Sequence, residues 1–234
     1  MPRPRIPAIT RIMEQKSLDG RIALVTGASR GLGAACAEWL AARGAHVVAV
    51  ARTTGGLEEL DDRIQAAGGS TTLAPMDITT EAAMAHLCRS IHDRWGKADI
   101  WVHAAIHATA LTPAAQIREK DLDANIATNI RATARLMAMV EPLIAPSDIA
   151  TAVFFDDEGE TMYGGAYAMS KAAQRALVTR WQAESAKHGP RVELLTPKPM
   201  PTAVRARFHP GENRETLASP KDEAARLLSP IFGA

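Results

Sequence analysis

The chain has 234 residues, of which 47% are hydrophobic, 23% are charged and 4% are aromatic, and its formal net charge is +1 at pH 7. This length suits one domain of ordinary size with a sizeable core. The near-zero net charge gives no sign of a nucleic acid or an acidic membrane as partner. No apolar run approaches the roughly twenty residues of a membrane span and no signal peptide is recognisable, so we expect a cytoplasmic protein outside any membrane.

Two features stand apart from this average composition. Cys36 and Cys88 lack the neighbouring cysteine or histidine of a metal motif, so we expect both in the core and expect no metal. Residues 1–17 are rich in proline and basic residues, which we interpret as a surface tail, with a basic arm that touches a partner as the alternative. Residues 18–234 are then expected to form a single domain.

From residue 18 onward, short β-branched runs alternate with amphipathic helical stretches. The pattern predicts strands at residues 21–26, 45–51, 71–76, 99–105, 149–155 and 191–196. It predicts helices at residues 31–43, 56–67, 80–95, 121–144, 163–187 and near 220–228. Strands separated by helical crossovers pair in parallel, with helices on both faces. The sequence therefore predicts a Rossmann-like α/β fold, a doubly wound parallel sheet of about six strands.

The first predicted strand runs into the glycine turn TGASRGLG, residues 26–33. Glycines let the backbone turn tightly and approach a pyrophosphate, and the next helix presents free N–H groups and the positive end of its dipole. At the first strand–helix junction of an alternating chain, this turn predicts a dinucleotide-binding domain. The residues expected to contact the cofactor here are Gly27, Ser29, Arg30, Gly31, Leu32 and Gly33.

The end of the second predicted strand reads VAR, residues 50–52, without the carboxylate that would bind the ribose 2′-hydroxyl of NAD. Arg52 stands there instead, and Arg30 lies in the glycine turn. Guanidinium groups bind phosphate with paired donors, so these residues favour NADP(H) over NAD(H). The alternative is that Arg52 is a solvated loop residue.

Tyr167 and Lys171 are four residues apart on a predicted helix, so they share a face. A tyrosine hydroxyl is a poor acid or base at neutral pH, but a neighbouring ammonium stabilises its phenolate and lowers its pKa. Downstream of a dinucleotide turn, this pair predicts a proton-transfer site.

With these pieces in this order, residues 18–228 resemble the short-chain dehydrogenase/reductase family. The matching segments are TGASRGLG, Asp77 after the third strand, GKADIWVHAA at 96–105, Asn129, AYAMSKAA at 166–173 and PKPMPT at 197–202. The resemblance implies an NAD(P)-dependent oxidoreductase that reduces a carbonyl, or oxidises an alcohol, of a small molecule. It implies Tyr167 as proton donor and Lys171 as ligand of the nicotinamide ribose.

The resemblance also assigns roles to residues outside these motifs. Asn129 would anchor the water that relays protons to Lys171, with Asn125 as the competing candidate. Asp77 and Ile78 would contact the adenine. The remaining residues expected along the cofactor are His103, Ala104, Ala105, Pro197, Met200 and Thr202.

Four departures from the family pattern are visible, and three of them concern the cofactor site and the subunit interface. The family's Asn-Asn-Ala-Gly is His103-Ala104-Ala105-Ile106 here, so Ile106 would crowd the cofactor and His103 is either a satisfied strand-end histidine or a catalytic group. Lys198 replaces a glycine near the nicotinamide. The family's seventh strand is missing, which leaves the helices at 119–144 and 163–187 as the expected homodimer interface, with a tetramer as the alternative.

The fourth departure is the family's catalytic serine, whose place falls on Phe154. If the following segment is two residues short, the strand end reaches Asp156 or Asp157. Losing one such donor reduces a rate by about 10²–10³, so the site is compatible with a weak enzyme. Asp156 beside Tyr167 and Lys171 resembles pteridine reductases, which implies C=N reduction as an alternative. Alternatively, Asp156 and Asp157 belong to a solvated acidic turn. A third interpretation, suggested by Phe154, Ile106 and Lys198, is a degenerate non-catalytic dinucleotide-binding protein.

Overall fold

The computed structural model describes residues 17–157 and 161–233. The predicted tail therefore lies outside the described residues, except for its last position. Within the described ranges the strands are β1 Ile22–Thr26, β2 His46–Ala51, β3 Ser70–Pro75, β4 Ile100–His103, β5 Thr151–Phe155 and β6 Arg191–Leu195. The α-helices are α1 Gly31–Ala42, α2 Thr54–Ala66, α3 Glu81–Trp95, α4 Glu119–Asn125, α5 Thr133–Ile144, α6 Gly165–Ser185, α7 Ala203–Phe208 and α8 Pro220–Phe232.

The six strands form one parallel sheet in the order β3-β2-β1-β4-β5-β6. The strand order reverses between β1 and β4, which places a crevice at the carboxyl ends of these two strands. β1, β4 and β5 are buried along their whole length, as expected of strands covered by helices on both faces. The fold predicted from the sequence is confirmed, and no seventh strand lies within residues 17–157 and 161–233.

Two apolar layers hold the helices on the sheet. The first packs α1, α2 and α8 on one face, and it includes Cys36. The second packs α3, α5 and α6 on the other face, and it includes Cys88 and the fully buried Trp101 and Phe154. Phe154 therefore serves the core, where the family pattern would place a catalytic hydroxyl.

Two predicted helices differ from those observed. The single helix expected over 121–144 is α4, a π-helical segment Ile126–Ala132, and α5 in succession. The helix expected from 163 begins at Gly165, because Tyr163 has a φ of 67°, which a helix does not contain. A π-helical turn inside an α-helix frequently marks a functional site, and this one carries Asn129.

The segment after β6, where the sequence pattern predicts no helix before residue 220, contains the short helix α7. Its N-terminus is capped by Thr202, whose Oγ1 accepts a hydrogen bond from the backbone N–H of Arg205 at 3.2 Å. α7 covers part of the crevice, so this missed helix belongs to the site. Across the described parts of the chain, no helix has the combined length and apolarity that crossing a bilayer requires.

Candidate active site

A cleft of about 670 Å³ opens at the carboxyl ends of the strands. Its walls come from the glycine turn, the loops after β2, β3, β4 and β6, the end of β5, and helices α6 and α7. Every residue predicted to bind the cofactor lines it: Gly27, Ser29, Arg30, Gly31, Leu32, Gly33, Arg52, Asp77, Ile78, His103, Ala104, Ala105, Tyr167, Lys171, Pro197, Met200 and Thr202.

The glycine turn packs directly on the loop that follows β4. Gly27 has a φ of 82°, and a Cβ there would lie 2.5 Å from the backbone nitrogen of Ala105. A Cβ on Gly33 would lie 2.2 Å from the carbonyl oxygen of Gly27. These positions exclude any side chain, so the turn presents bare backbone at the start of α1, as a pyrophosphate requires.

The far end of the cleft, next to the ends of β2 and β3, is basic and open to solvent. The guanidinium of Arg52 is 62% exposed and lies 3.9 Å from the carboxylate of Asp77. Asp77 also accepts hydrogen bonds from the backbone N–H and the hydroxyl of Thr79 at 2.9 and 2.8 Å. Arg30 is exposed beside the glycine turn. The structure therefore puts two guanidinium groups and one already-bonded carboxylate around this end of the cleft.

His103 is buried at the end of β4, and both ring nitrogens have hydrogen-bond partners. Nδ1 lies 2.8 Å from the hydroxyl of Thr26, and Nε2 lies 3.1 Å from the hydroxyl of Thr133. Burial, and then the charge of Lys171, lowers the pKa of His103 to about 3. The ring is therefore neutral at physiological pH, which agrees with the interpretation of a satisfied strand-end histidine.

Ile106, which the sequence suggested would crowd the cofactor, lines the cleft and packs with the small cluster of Ala108, Tyr167 and Phe208.

The loop after β6 is hydrogen-bonded to the last helix. The backbone N–H of Lys198 donates to Oε1 of the buried Glu223 in α8 at 2.7 Å. This bond holds the loop in place without the glycine that Lys198 replaces.

Tyr167 is only 7% exposed, in the first turn of α6. Its hydroxyl donates a hydrogen bond to Oδ2 of Asp157 at 2.9 Å. Its ring lies 5.1 Å from the ring of Phe208 in α7, centroid to centroid. Burial raises the pKa of the Tyr167 hydroxyl well above its usual range, and the Asp157 carboxylate raises this pKa further. The phenol is therefore held in its protonated form.

Lys171 lies one turn after Tyr167 on the same helix and is 4% exposed. Its ammonium donates to the carbonyl oxygen of Phe155 at 2.6 Å and to Oε1 of Gln174. Burial lowers the pKa of Lys171 to about 8, against the opposing charges of Asp156 and Asp157. Near neutral pH the ammonium is the main form, but its proton is held much less tightly than in an exposed lysine.

Asp156 lines the cleft near Tyr167 and Lys171, but the aspartate that bonds the Tyr167 hydroxyl is Asp157. Asp156 is buried, and its carboxylate accepts hydrogen bonds from Arg175 at 3.1 Å and from the backbone N–H of Asp157 at 2.9 Å. Asp157 occupies the position next to the Tyr167 hydroxyl. β5 ends at Phe155, so successive residues point in different directions: both aspartates line the cleft, but it is the second that accepts the hydrogen bond from Tyr167.

Asn129 is fully buried and does not line the cleft. Its side chain accepts from the backbone N–H of His107 at 2.7 Å and donates to the carbonyl of His107 and the hydroxyl of Ser170, each at 2.8 Å. The competing Asn125 donates to Thr109 at 3.2 Å and to the backbone of Asp121 at 2.8 Å. Both amides therefore brace the loop after β4, and the structure shows no direct bond from either to Lys171.

Sequence reasoning missed several residues that shape this site. Gln174 bonds Lys171, Thr133 bonds His103, Glu223 bonds the loop after β6, and Phe208 covers Tyr167. Gln174 carried one usable signal, since it lies three residues after Lys171 on the same helix face. Among the described residues, no group of three histidine, cysteine, aspartate or glutamate side chains is arranged to hold a metal ion.

A nicotinamide dinucleotide fits this cleft on the grounds of its bare glycine turn, its volume and its basic far end. A profile of the short chain dehydrogenase family matches residues 21–213. The protein is thus a member of the short-chain dehydrogenase/reductase family of oxidoreductases, as the sequence motifs predicted.

Individual relatives span a range of sizes. The chain is 28% identical over 214 residues to a tropinone reductase homolog from Arabidopsis thaliana, covering 90% of this chain and 80% of the relative. It is 31% identical over 162 residues to the 3-oxoacyl-(acyl-carrier-protein) reductase of Escherichia coli K12, covering 69% of this chain and 65% of that enzyme. It matches a glycine betaine reductase from Emericella nidulans at 29% identity over 183 residues, but spans only 14% of that protein.

Solved structures agree over nearly the whole chain. A short chain dehydrogenase from Pseudomonas syringae has a TM-score of 0.83 at 30% identity, covering 93% of this chain and 89% of that one. A second, from Shigella flexneri 2a, was solved in complex with NADP and has a TM-score of 0.83 at 26% identity, covering 94% of this chain and 92% of its own.

Proposed function

We propose that residues 18–234 form one NADPH-dependent oxidoreductase domain that reduces a carbonyl group of a small molecule. The observation that carries this proposal is the buried pair of Tyr167 and Lys171 at the wall of a dinucleotide-sized cleft. Tyr167 is the proton donor, and Lys171 binds the nicotinamide ribose and stabilises the charge that develops on the tyrosine oxygen. When bound, the cofactor supplies the hydride.

The direction of the reaction follows from the state of Tyr167. A phenol held protonated by burial and by Asp157 carries the proton that carbonyl reduction consumes, although its raised pKa also makes it a weaker acid. It is poorly prepared to take a proton from an alcohol near neutral pH. Phe208 covers the tyrosine ring and excludes water from that side. These features favour reduction over alcohol oxidation.

The preference for NADPH is supported by Arg30 and Arg52 at the open end of the cleft, with no acid at the end of β2. One charge-assisted hydrogen bond contributes about 1.5–3 kcal/mol, so Arg52→Ala should weaken NADPH binding by roughly 10- to 100-fold and leave NADH binding nearly unchanged. Arg89→Ala, which removes an exposed arginine of α3 outside the cleft, is the matched control. Fluorescence titration of both cofactors measures these affinities.

The decisive assay is turnover on a panel of carbonyl substrates with wild type and Tyr167→Phe. Loss of the acid should reduce turnover by about 10²–10⁴ while cofactor binding persists. If wild type fails to bind NADPH at millimolar concentration, the proposal is wrong. Binding with no turnover that depends on Tyr167 across the panel would favour a non-catalytic dinucleotide-binding protein.

A second candidate is reduction of a C=N bond, which the hydrogen bond between Asp157 and Tyr167 favours. An ionised carboxylate at this position opposes a developing alkoxide but stabilises a protonated, cationic C=N group. The role first given to Asp156 passes to Asp157, since Asp156 is paired with Arg175. Asp157→Ser should raise carbonyl turnover and lower turnover of an imine and pteridine panel. If wild type reduces none of the C=N substrates, this candidate fails.

We further propose a homodimer formed through the surfaces of α4, α5 and α6. In support, Met169 on α6 is 41% exposed, so a contact between two copies through this helix would bury a large apolar side chain. Light scattering coupled to size-exclusion chromatography distinguishes a dimer from a monomer and from a tetramer. Met169→Asp should shift a dimer toward monomer, whereas the same change at the exposed Ala66, at the end of α2 on the other face of the sheet, should not.

A further inference from the structure

Gln174 is a buried polar residue with no role in the function proposed above. It is 2% exposed and lies on α6, three residues after Lys171. Its side-chain oxygen accepts a hydrogen bond from the Lys171 ammonium, and its Nε2 donates to the hydroxyl of Thr133 in α5 at 3.0 Å. Both the oxygen and the nitrogen of the Gln174 amide are therefore hydrogen-bonded.

The partner of Gln174 is itself fixed by a buried chain of hydrogen bonds. Thr133 donates its hydroxyl hydrogen to the backbone carbonyl of Asn129 at 2.9 Å. Because that hydrogen is used, the 3.1 Å contact with Nε2 of His103 requires the histidine to donate. Nδ1 of His103 then accepts from the hydroxyl of Thr26 at 2.8 Å. The chain thus runs from β1 through β4 and α5 to α6.

We propose that Gln174 is the positioning residue of Lys171, and that Thr133 and His103 fix the orientation of the Gln174 amide. In this arrangement the amide oxygen and the Phe155 carbonyl hold the ammonium between them. An ammonium has three donors, so one remains for the cofactor ribose. The importance of these hydrogen bonds for catalysis rests on the proposed function of Lys171, but the positioning of Lys171 by Gln174 does not.

Glutamine suits this place because of its chemistry. Its oxygen accepts from the ammonium while its nitrogen donates to Thr133, and it carries no charge that would neutralise the lysine. The reversed amide would aim its NH₂ group at the ammonium, which has only donors. The hydrogen bond from Gln174 to Thr133 therefore selects the orientation that stabilises charged Lys171.

Several charged or titratable groups face the Lys171 ammonium. Asp156 and Asp157 at the end of β5 favour its protonated form, and Arg175 on α6 opposes it. His103 on β4 is neutral near pH 7. Against this fixed background, changing Gln174 alone should move the lysine titration in a predictable direction.

The test follows the ¹³Cε resonance of Lys171 with pH in lysine-labelled full-length protein without cofactor. Lys171→Arg identifies the resonance by removing it. Gln174→Met keeps the volume but loses the acceptor, so the titration midpoint should fall by about one pH unit. Gln174→Glu puts a carboxylate beside the ammonium and should raise the midpoint above that of wild type.

A matched control comes from the same helix. Gln182 also donates from Nε2, to the Val192 carbonyl at 2.7 Å, and has no bond to Lys171. Gln182→Met should leave the Lys171 midpoint unchanged. Thr133→Val, which frees the amide to rotate, should lower the midpoint in the same direction as Gln174→Met. An unchanged midpoint in Gln174→Met and Thr133→Val, or an equal change in Gln182→Met, would overturn the proposal.

Cofactor affinity supplies a second readout. If Gln174 positions Lys171, Gln174→Met should weaken NADPH binding several-fold more at pH 8.5 than at pH 6.5, because a lower lysine pKa removes the ammonium first at high pH. A loss that is the same at both pH values indicates only a packing role and contradicts the proposal. Failure of wild type to bind NADPH would refute the proposed function instead, and the cofactor-free titration would still decide the role of Gln174.

Discussion

The Tyr167 hydroxyl donates a hydrogen bond to the Asp157 carboxylate at 2.9 Å, inside a cleft where the tyrosine is 7% exposed. Asp157 is thus the side chain that the structure places against the tyrosine hydroxyl. A carboxylate opposes ionisation of the phenol, whereas Lys171 favours it. Burial is the largest cause of the raised pKa of Tyr167, and the carboxylates of Asp157 and Asp156 raise it further.

Removing the Asp157 charge should make Tyr167 more acidic. The chain has two tyrosines, so Tyr163→Phe leaves a single phenol whose ionisation can be followed by its ultraviolet difference absorbance. In that background, Asp157→Asn should move the phenolate midpoint down by about one pH unit or more. The remaining rise in the Tyr167 pKa comes from burial and from the charge of Asp156. An unchanged midpoint would mean that the Asp157 carboxylate does not act on Tyr167.

Replacing Asp156 should mainly lower the free energy of unfolding, whereas replacing Asp157 should mainly change the acidity of Tyr167. Asp156 is 6% exposed and accepts from Arg175 and from the backbone, so Asp156→Asn weakens a mostly buried network. We expect a loss of about 1–3 kcal/mol in the free energy of unfolding, measured by urea denaturation. Asp157→Asn, at an exposed residue, is the matched control and should lose less. Equal losses in the two variants would contradict this division of roles.

The sequence predicts the fold well because its signals are periodic. Six β-branched runs alternate with amphipathic stretches, and this pattern leaves few topologies besides a doubly wound parallel sheet. The carboxyl ends of parallel strands meet at one edge, so the glycine turn, Arg52 and Tyr167 had to face the same crevice. These are consequences of chain order and do not depend on side-chain detail.

The parts of the site that the sequence does not predict depend on packing across long separations. Whether Asp156 or Asp157 reaches Tyr167 is decided by where β5 ends, and a difference of one residue reverses the direction of the side chain. Gln174 and Thr133 are 41 residues apart and meet only because the π-helical segment that leads into α5 packs against α6. Neither helix reveals from its own sequence which polar residue of the other it will face.

The pH dependence of the free energy of unfolding should include a contribution from Lys171. Burial lowers the pKa of Lys171 from 10.5 to about 8, so the unfolded chain binds more protons than the folded one between these values. The free energy of unfolding should therefore rise with pH in this window, by about 2 kcal/mol between pH 7.5 and 9.5 from this group alone. Tyr167, whose pKa is raised, opposes this rise above about pH 9, because the unfolded phenol then begins to lose a proton that the folded one keeps, which lowers the slope.

Urea denaturation of wild type and Lys171→Met at both pH values isolates this contribution. The variant lacks the titrating group, so its free energy of unfolding should change less between pH 7.5 and 9.5 than that of wild type, by about 2 kcal/mol. Identical pH dependence in the two proteins would show that the folded protein does not perturb Lys171.

The glycine turn should tolerate no side chain at Gly33. A Cβ there would lie 2.2 Å from the carbonyl oxygen of Gly27 and 3.1 Å from the Cβ of Ala104, and the first of these contacts is with backbone that cannot rotate away. Gly33→Ala should therefore push the turn off the β4 loop, lower the free energy of unfolding by about 1–3 kcal/mol or more, and abolish measurable NADPH binding.

The matched control for this change is Gly55→Ala. Gly55 lies in α2, where a Cβ would meet nothing within 4 Å beyond its chain neighbours and its own helix backbone. Alanine there should stabilise the helix by about 0.5–1 kcal/mol and leave cofactor affinity unchanged. Chemical denaturation and fluorescence titration with NADPH measure both properties in the same samples. Equal behaviour of the two variants would show that the close approach of Gly33 to Gly27 is not required for the phosphate-binding turn.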